Sequence, residues 1–250
     1  MHNFKFGDKN LIEFCGRILQ APSHYVAERN FELAELPGRN GNVYIDNLNY
    51  KNVDFNLKIC FMPFLSELSA RQLAYAIIDW LAPLNGYQTY EDTYNPGYYT
   101  KAVLKNIGEI KRELPTLLTA DLSFNRLPFW YRIDGKEEII LPNNSSIILN
   151  NPEPFEAQPI FIYKNQNTSN TAISLNINGI NTVLSPITEF KEQRLDGLNM
   201  QYKGIKADNT QCYIGPELPP NLKTGKNIIS VNTLENSTEI LKLIPNWRRL

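Results

Sequence analysis

The chain has 250 residues, of which 42% are hydrophobic and 20% are charged, and its formal net charge is −1. That length accommodates one large domain or two small ones. The near-neutral charge gives no reason to expect nucleic acid as the main partner or electrostatic attachment to an anionic membrane. The amino terminus is too polar for a secretory signal and no apolar run reaches the length of a membrane span, so a soluble protein made in a cytoplasm is expected.

The composition favours strands and turns. Tyr and Phe are plentiful, with 13 and 12 residues, and there are 16 Pro and 13 Gly. Aromatic residues are enriched in strands, whereas Gly and Pro mark the turns between them. Short strands are expected at the start of the chain, including Phe4–Phe6 and Leu11–Phe14.

The first prominent turn is Leu36–Asn42, between a predicted strand within Tyr25–Leu36 and a second strand starting at Val43. Gly38 and Gly41 can adopt positive φ without a Cβ penalty, and a proline fixes φ at the turn entry. Residue chemistry alone predicts an ordinary hairpin here.

The clearest strand is Val53–Phe61, in which apolar and polar residues alternate strictly, so that one face is buried. The only strong helix is predicted over Ala70–Leu81. Ser69 and Gln72 form a capping box at its start, and apolar residues recur at helical spacing on one face. This helix should cover a sheet face, with Trp80 as a core anchor.

Five tyrosines follow within Tyr87–Tyr99, where they either form a binding surface or roof the sheet beside the helix. Further strands are predicted at Tyr99–Leu104, Ile107–Lys111 and Leu117–Phe124. The alternating pattern breaks at Arg126–Tyr131, and a domain boundary is placed near residue 134.

The remainder has no convincing helix. Short strands recur between Asn-, Gly- and Pro-containing turns, which is typical of a β-sandwich. The predicted organisation is therefore mainly β, with an N-terminal sheet domain carrying one packed helix (residues 1–134) and a C-terminal β-sandwich domain (residues 135–250).

No residues at the spacing of a catalytic or metal site are found. The only histidines are His2 and His24, neither at triad or metal-ligand spacing, and no glycine-rich phosphate loop is present. The cysteines at 15, 60 and 212 are far apart, which favours buried free thiols. Adjacent acidic pairs, such as Glu91 and Asp92, are expected to be solvated. No enzyme activity, cofactor or metal is therefore predicted.

Two non-enzymatic classes remain open on the residues alone. One is a structural protein that assembles through strand edges, loops and turns. The other is a carbohydrate-binding β-sandwich protein that attaches to cell-surface glycans. Its candidate sugar-stacking aromatic residues are scattered through the second half: Tyr163, Tyr202, Tyr213 and Trp247.

The order of several motifs resembles the distal tail protein family of long-tailed, non-contractile bacteriophages, also called the phage tail component family. The motifs are the turn Leu36–Gly41, the strand Val53–Phe61, the helix end Ile77–Leu81, and the segments Tyr94–Ala102, Phe124–Trp130, Asn150–Pro152, Pro159–Ile160, Leu218–Asn227 and Ile244–Leu250. Each is weak alone, but their order and spacing together are fairly specific.

The resemblance implies a homo-oligomeric, hexameric ring in the tail tip of a virion. The first domain would form the ring on the end of the tail tube, around a lumen through which DNA passes. The second would be a galectin-like β-sandwich that docks tip, baseplate, tail-associated or receptor-binding proteins, while the last residues could pack back on the first domain. No membrane insertion is implied.

In this context the turn becomes a candidate contact between ring subunits, carried by Pro37, Gly38, Arg39, Asn40 and Gly41. Arg39 would be solvated in an ordinary hairpin and paired across a subunit boundary in the ring. A weaker alternative is a related tail-tube or baseplate protein of another phage-like machine.

Overall fold

The computed structural model describes residues 2–164, 173–184, 189–215, 219–233 and 240–250. The chain divides into two compact units: the first extends to Trp130 and includes Leu250, and the second is Tyr131–Arg249. Strands dominate both units, and the described residues contain one α-helix. The mainly β fold class predicted from the sequence is therefore confirmed.

The first unit contains one main sheet and one separate hairpin. Its strands are β1 (Phe4–Phe6), β2 (Lys9–Asn10), β3 (Gly16–Ile18), β4 (Arg29–Ala34), β5 (Val43–Tyr50), β6 (Val53–Phe61), β7 (Gln88–Asp92), β8 (Tyr98–Asn106), β9 (Lys111–Leu114) and β10 (Leu117–Arg126). The main sheet has the order β2-β1-β7-β8-β10-β6-β3, and β9 pairs with β10. Among the described strands, β4 and β5 pair with each other alone.

The antiparallel pair β6–β10 is the longest register in the main sheet, from Val53 opposite Arg126 to Phe61 opposite Leu118. Phe55, Leu57 and Ile59 of β6 are buried, as the alternating pattern predicted. Their face of the sheet packs with rings from neighbouring strands into one hydrophobic core. Burying a large apolar side chain contributes about 1.5–3 kcal/mol, so these alternating residues favour this register over one shifted by a single residue.

The helix α1 (Ala70–Leu81) occupies the residues predicted from its period and cap. Ser69 Oγ accepts a hydrogen bond from the Gln72 backbone N–H at 3.4 Å, and the Ser69 backbone N–H donates to Gln72 Oε1 at 3.0 Å. The buried face of the helix consists of Leu73, Ile77, Trp80 and Leu81. Capping satisfies donors that the first helical turn leaves free, and the apolar face anchors the helix to the sheet.

Two predicted strands are wrong. Leu11–Phe14 is a 3₁₀ helix, capped by Asn10, whose backbone N–H donates to Glu13 Oε1 at 2.8 Å. Residues 107–110 form a loop, and the strand begins only at Lys111. In that loop Gly108 has φ +67° and donates its N–H to the Asn106 side chain at 3.0 Å. Local side-chain hydrogen bonds thus replace strand pairing at both places.

The second unit follows after β11 (Trp130–Arg132). Its further strands are β12 (Ile139–Leu141), β13 (Ser145–Asn151), β14 (Ile160–Lys164), β15 (Ile173–Ile177), β16 (Ile180–Leu184), β17 (Glu192–Asp196), β18 (Gln201–Ile205), β19 (Gln211–Gly215), β20 (Gly225–Thr233), β21 (Ile240–Ile244) and β22 (Arg248–Arg249).

The strands from β12 to β21 form two sheets, of order β12-β21-β14-β17-β18-β19 and β13-β20-β15-β16. One buried cluster takes residues from both sheets, including Phe161 and Leu243 from the larger and Ile177 and Val231 from the smaller. Two sheets that share one core make a β-sandwich, as the sequence predicted.

Candidate assembly surface

The hairpin β4–β5 with its connecting tip is a largely exposed element of the first unit, and we call residues 29–50 the arm. No strand residue of the arm is buried. The five predicted interface residues, Pro37, Gly38, Arg39, Asn40 and Gly41, all lie at its exposed tip. An isolated two-stranded hairpin is marginally stable in water, so the arm needs a further surface to pack against.

The tip is shaped by backbone conformation. Gly38 has φ +78° and Gly41 has φ +84°, and a Cβ at either position would meet nothing within 4 Å. The requirement for glycine is therefore the positive φ and not the space around it. The Arg39 backbone N–H donates to the Leu36 carbonyl at 3.2 Å. The Arg39 guanidinium has no hydrogen-bond or ion-pair partner among the residues that the structure describes.

One face of the arm is apolar and uncovered. Leu33 lies directly opposite Tyr44, and the rings of Phe31 and Tyr44 are 5.2 Å apart. The exposed fractions of Phe31, Leu33 and Tyr44 are 47%, 57% and 52%. Clustered exposed apolar side chains of this kind mark interaction surfaces, whereas single ones are ordinary.

Asp46 stabilises the arm near its base. Its carboxylate pairs with the Arg29 guanidinium and accepts the Leu48 backbone N–H at 2.9 Å. The hydrogen bond from Arg29 and then that from Leu48 lower the pKa of Asp46. Leu48 has φ +56° and is almost fully exposed. A leucine held in this strained, solvent-facing conformation is unusual and adds a further apolar contact point.

The root of the arm is tied to the first unit by Arg126, which is buried. Its guanidinium donates to the carbonyls of Tyr25 and Pro128, each at 2.8 Å, and to that of Leu127 at 3.0 Å. It also lies over the Trp130 ring, 5.3 Å from the centroid. Burial lowers the pKa of Arg126 to about 10, so the group stays charged at neutral pH. Arg126 thereby fixes the segment that leads into the arm.

The two chain ends of the arm meet at its root. The Lys51 backbone N–H donates to the Glu28 carbonyl at 2.8 Å, and their side chains form an ion pair at 3.5 Å. The arm therefore leaves and re-enters the unit at one point.

Trp80 lies inside the first unit and not on this surface, with 4% of its area exposed. Its ring stacks on Phe14 with centroids 4.8 Å apart and an interplanar angle of 7°. Its Nε1–H donates to the Phe6 carbonyl at 3.2 Å, which ties the helix to β1.

The tyrosines of Tyr87–Tyr99 divide between core and surface. Tyr90 and Tyr99 are buried, Tyr94 and Tyr98 are half-buried, and Tyr87 is exposed. Four of the five side chains are therefore buried or half-buried, which agrees with the sequence-based alternative that they cover the sheet.

The aromatic residues considered for sugar stacking do not form a site. Tyr163, Tyr202 and Trp247 are buried in the core of the second unit, and only Tyr213 is exposed. A buried ring cannot present its face to a sugar, so this geometry gives the carbohydrate-binding alternative no support.

Other candidate chemistry is sparse in the described ranges. Cys15, Cys60 and Cys212 are free, but only Cys60 is fully buried, so the expected burial is wrong for the other two. Across residues 2–164 and the later described segments, no group of three or more His, Cys, Asp or Glu side chains could hold a metal ion. No helix there is long and apolar enough to cross a membrane.

Comparisons with known proteins identify the fold. No protein-family model and no curated protein sequence matches the chain. Among solved structures, the SPP1 Dit (gp 19.1) protein, described as a paradigm of the hub adsorption apparatus in phages that infect Gram-positive bacteria, is 10% identical. The match covers 100% of both chains with a TM-score of 0.67.

Two structures of the phage p2 baseplate in its activated conformation, one with Ca and one with Sr, also match. Each contains a chain 11% identical to this one, with 100% of this chain and 98% of that chain covered and a TM-score of 0.54. The resemblance indicated by the sequence motifs is confirmed at the level of fold: this chain has the fold of the phage distal tail, or Dit, hub proteins.

Proposed function

We propose that this protein is a non-enzymatic hub of a phage tail tip. It assembles as a ring, with six subunits as in the family resemblance, that joins the tail tube to tip, baseplate or receptor-binding proteins. The ring leaves a channel through which DNA passes, and the protein resides in the virion. The observation that carries this proposal is the full-length match in fold to a phage hub protein.

The arm supplies a physical means of closing a ring. It projects from each subunit an uncovered apolar face and Arg39, whose guanidinium has no partner in the described part of the chain. A contact between two different surfaces of identical chains repeats by rotation, and closes into a ring when the rotation permits. The net charge of −1 suits a conduit, because a strongly basic lumen would retain passing DNA.

The role of the second unit in the proposal is docking. Its β-sandwich has exposed apolar side chains on the smaller sheet, where Ile148 lies directly opposite Ile228. These two side chains point away from the shared core and are free to contact a partner protein.

The test uses the purified full-length chain, alone and with the tail proteins of its own phage. Native mass spectrometry should detect a ring-sized oligomer, and negative-stain microscopy should show rings with a central opening. A strict monomer at all concentrations, both alone and with those proteins, would refute the proposal.

Arg39→Ala tests the predicted interface. We expect weaker ring formation, because an interface arginine that pairs across a subunit boundary contributes about 1 kcal/mol or more. Lys226→Ala, which removes an exposed cation of the second unit, is the control. If both variants form rings as readily as the parent chain, Arg39 has no part in the interface.

A further inference from the structure

A second uncovered surface of the first unit is a groove between the helix and the loop that precedes β9. Arg71, Ala74, Tyr75 and Ile78 of α1 form one wall, and Ile107, Gly108 and Ile110 form the other. The groove has a volume of about 480 Å³. That size lies within the range of specific binding clefts, and its walls are mainly apolar.

The two walls of the groove are held in place by the capped helix on one side and by a close backbone approach on the other. The capped helix presents Tyr75 and Ile78 on the side opposite its buried face. On the other wall, the loop is pinned where Gly108 approaches β10: a Cβ at Gly108 would lie 2.6 Å from the Asp121 carbonyl oxygen. The groove is therefore a fixed feature of the fold, because both walls belong to elements anchored in the core.

The arm and the groove have complementary surfaces. The arm offers Phe31, Leu33 and Tyr44 as one apolar cluster, and the groove offers mainly apolar walls with no occupant among the residues that the structure describes. Tyr75 and Ile78 of the groove are exposed, whereas Ile107 and Ile110 are half-buried, so both surfaces keep apolar area in contact with water. Burial of such surfaces against each other is favourable in proportion to the apolar area removed from water.

The charges beside the two surfaces are opposite in sign. Arg71 at the groove interacts only with Tyr75 among the described residues, through a 3.4 Å hydrogen bond and a ring contact at 5.8 Å. Glu35 has no ion-pair partner in the described part of the chain. It lies one residue past the end of β4 and two residues beyond Leu33.

We propose that the groove receives the apolar face of the arm from a second copy of this chain, with Glu35 of the arm facing Arg71 of the groove. This inference rests on the proposed ring and names the two surfaces that meet in it. The contact is head-to-tail, because arm and groove are different surfaces of one subunit, and each subunit therefore gives one arm and receives another.

A photo-crosslinking experiment locates the arm directly. A benzoylphenylalanine replaces Leu33 in the full-length chain, and the assembled oligomer is irradiated and digested. Copies with heavy and light nitrogen are mixed, so that crosslinks between subunits can be distinguished from those within one. We expect intersubunit crosslinks from residue 33 to peptides containing residues 71–78 or 107–110.

Charge variants test the same contact through the affinity of subunit association. Ile78→Glu should weaken subunit association at least about tenfold, because it places a charge in the apolar groove. Leu68→Glu is the matched control, since Leu68 is 40% exposed and Ile78 is 37% exposed, and it should leave association unchanged. Arg71→Glu should weaken association, and the added change Glu35→Arg should restore much of the loss.

The outcomes separate the two proposals. Rings in which residue 33 crosslinks elsewhere, or in which Ile78→Glu has no effect, would overturn the groove assignment and leave the hub proposal intact. Crosslinks from residue 33 to a different tail protein would also overturn it. A chain that never oligomerises would overturn both proposals.

Discussion

Trp80→Ala is the most direct test of how the first unit is built. The change removes a side chain that is 4% exposed, together with its stacking on Phe14 and its hydrogen bond to the Phe6 carbonyl. Truncating a buried tryptophan to alanine costs about 3–5 kcal/mol, and the lost hydrogen bond adds about 1 kcal/mol. We therefore expect the upper part of that range, about 4–5 kcal/mol.

That cost converts into a large shift in melting temperature. The first unit has about 130 residues, and unfolding entropy near 60 °C is about 2.1 cal/mol/K per residue, so the loss corresponds to about 15 °C. Differential scanning calorimetry measures the shift. Hydrogen exchange at β6 and α1 assigns it to this unit, because amides there should exchange faster while those of the second unit should not.

The control is Phe64→Ala, because Phe64 is 63% exposed and lies shortly before the same helix. It changes an aromatic residue to alanine at a comparable place in the chain, and should shift the melting temperature by only a few degrees. A shift for Trp80→Ala no larger than that of the control would refute the assignment of Trp80 as the anchor between helix and sheet.

Three further predictions concern other parts of the molecule. Arg126→Lys should lower the stability of the arm root by about 2–3 kcal/mol, because an ammonium cannot donate to three carbonyls in the fork geometry of Arg126. Faster hydrogen exchange at residues 20–28 would show this loss, and unchanged exchange would contradict it. The arm should loosen as the pH falls through the lowered pKa of Asp46, because the stabilisation from ionised Asp46 is present above its unfolded pKa and is lost on protonation. Exchange rates in the arm against pH measure this, and Asp46→Asn should remove the dependence. Asn227→Ala should destabilise the second unit by about 2–4 kcal/mol. The buried Asn227 amide donates to the Lys223 and Gly225 carbonyls and accepts the Lys223 backbone N–H. Urea unfolding measures the loss, and Asn232→Ala on the exposed side of the same strand is the control.

The elements predicted with the correct bounds are those in which several local sequence signals indicate the same residues. The helix α1 begins and ends as predicted because its cap, period and apolar face all indicate the same residues. The strand β6 also has its predicted bounds, since strict alternation fits only one burial pattern. In both cases the information lies within a dozen residues of the chain.

The wrong predictions arose where a short apolar run was interpreted without its flanking polar residues. Leu11–Phe14 looked like a strand, but Asn10 and Glu13 have the spacing of a capping box, and they form one. Ile107–Lys111 looked similar, but Asn106 and Gly108 make a local turn. Both patterns were visible in the sequence and would have predicted the observed structure.

The position of the arm could not be predicted from the sequence. The strand–turn–strand pattern around Pro37–Gly41 indicates a hairpin, but it does not show whether β4 pairs with the main sheet. The alternation of Phe31 and Leu33 with polar residues normally indicates a buried face, and here that face is exposed. Strand partners distant in sequence are set by tertiary packing, so only the structure reveals the uncovered surface. The groove likewise combines helix and loop residues that are far apart in the chain.

The paired root of the arm has a consequence for how such a protein can change. Because Glu28 and Lys51 are joined by a backbone hydrogen bond, the segment between them is a module whose length is independent of the main sheet. Adding or deleting one residue from each strand would alter its span by about 3.3 Å and turn the outer part over to its other face. Changes of two residues per strand would preserve the face, so lengths that differ in steps of two provide a simple route from one subunit spacing to another.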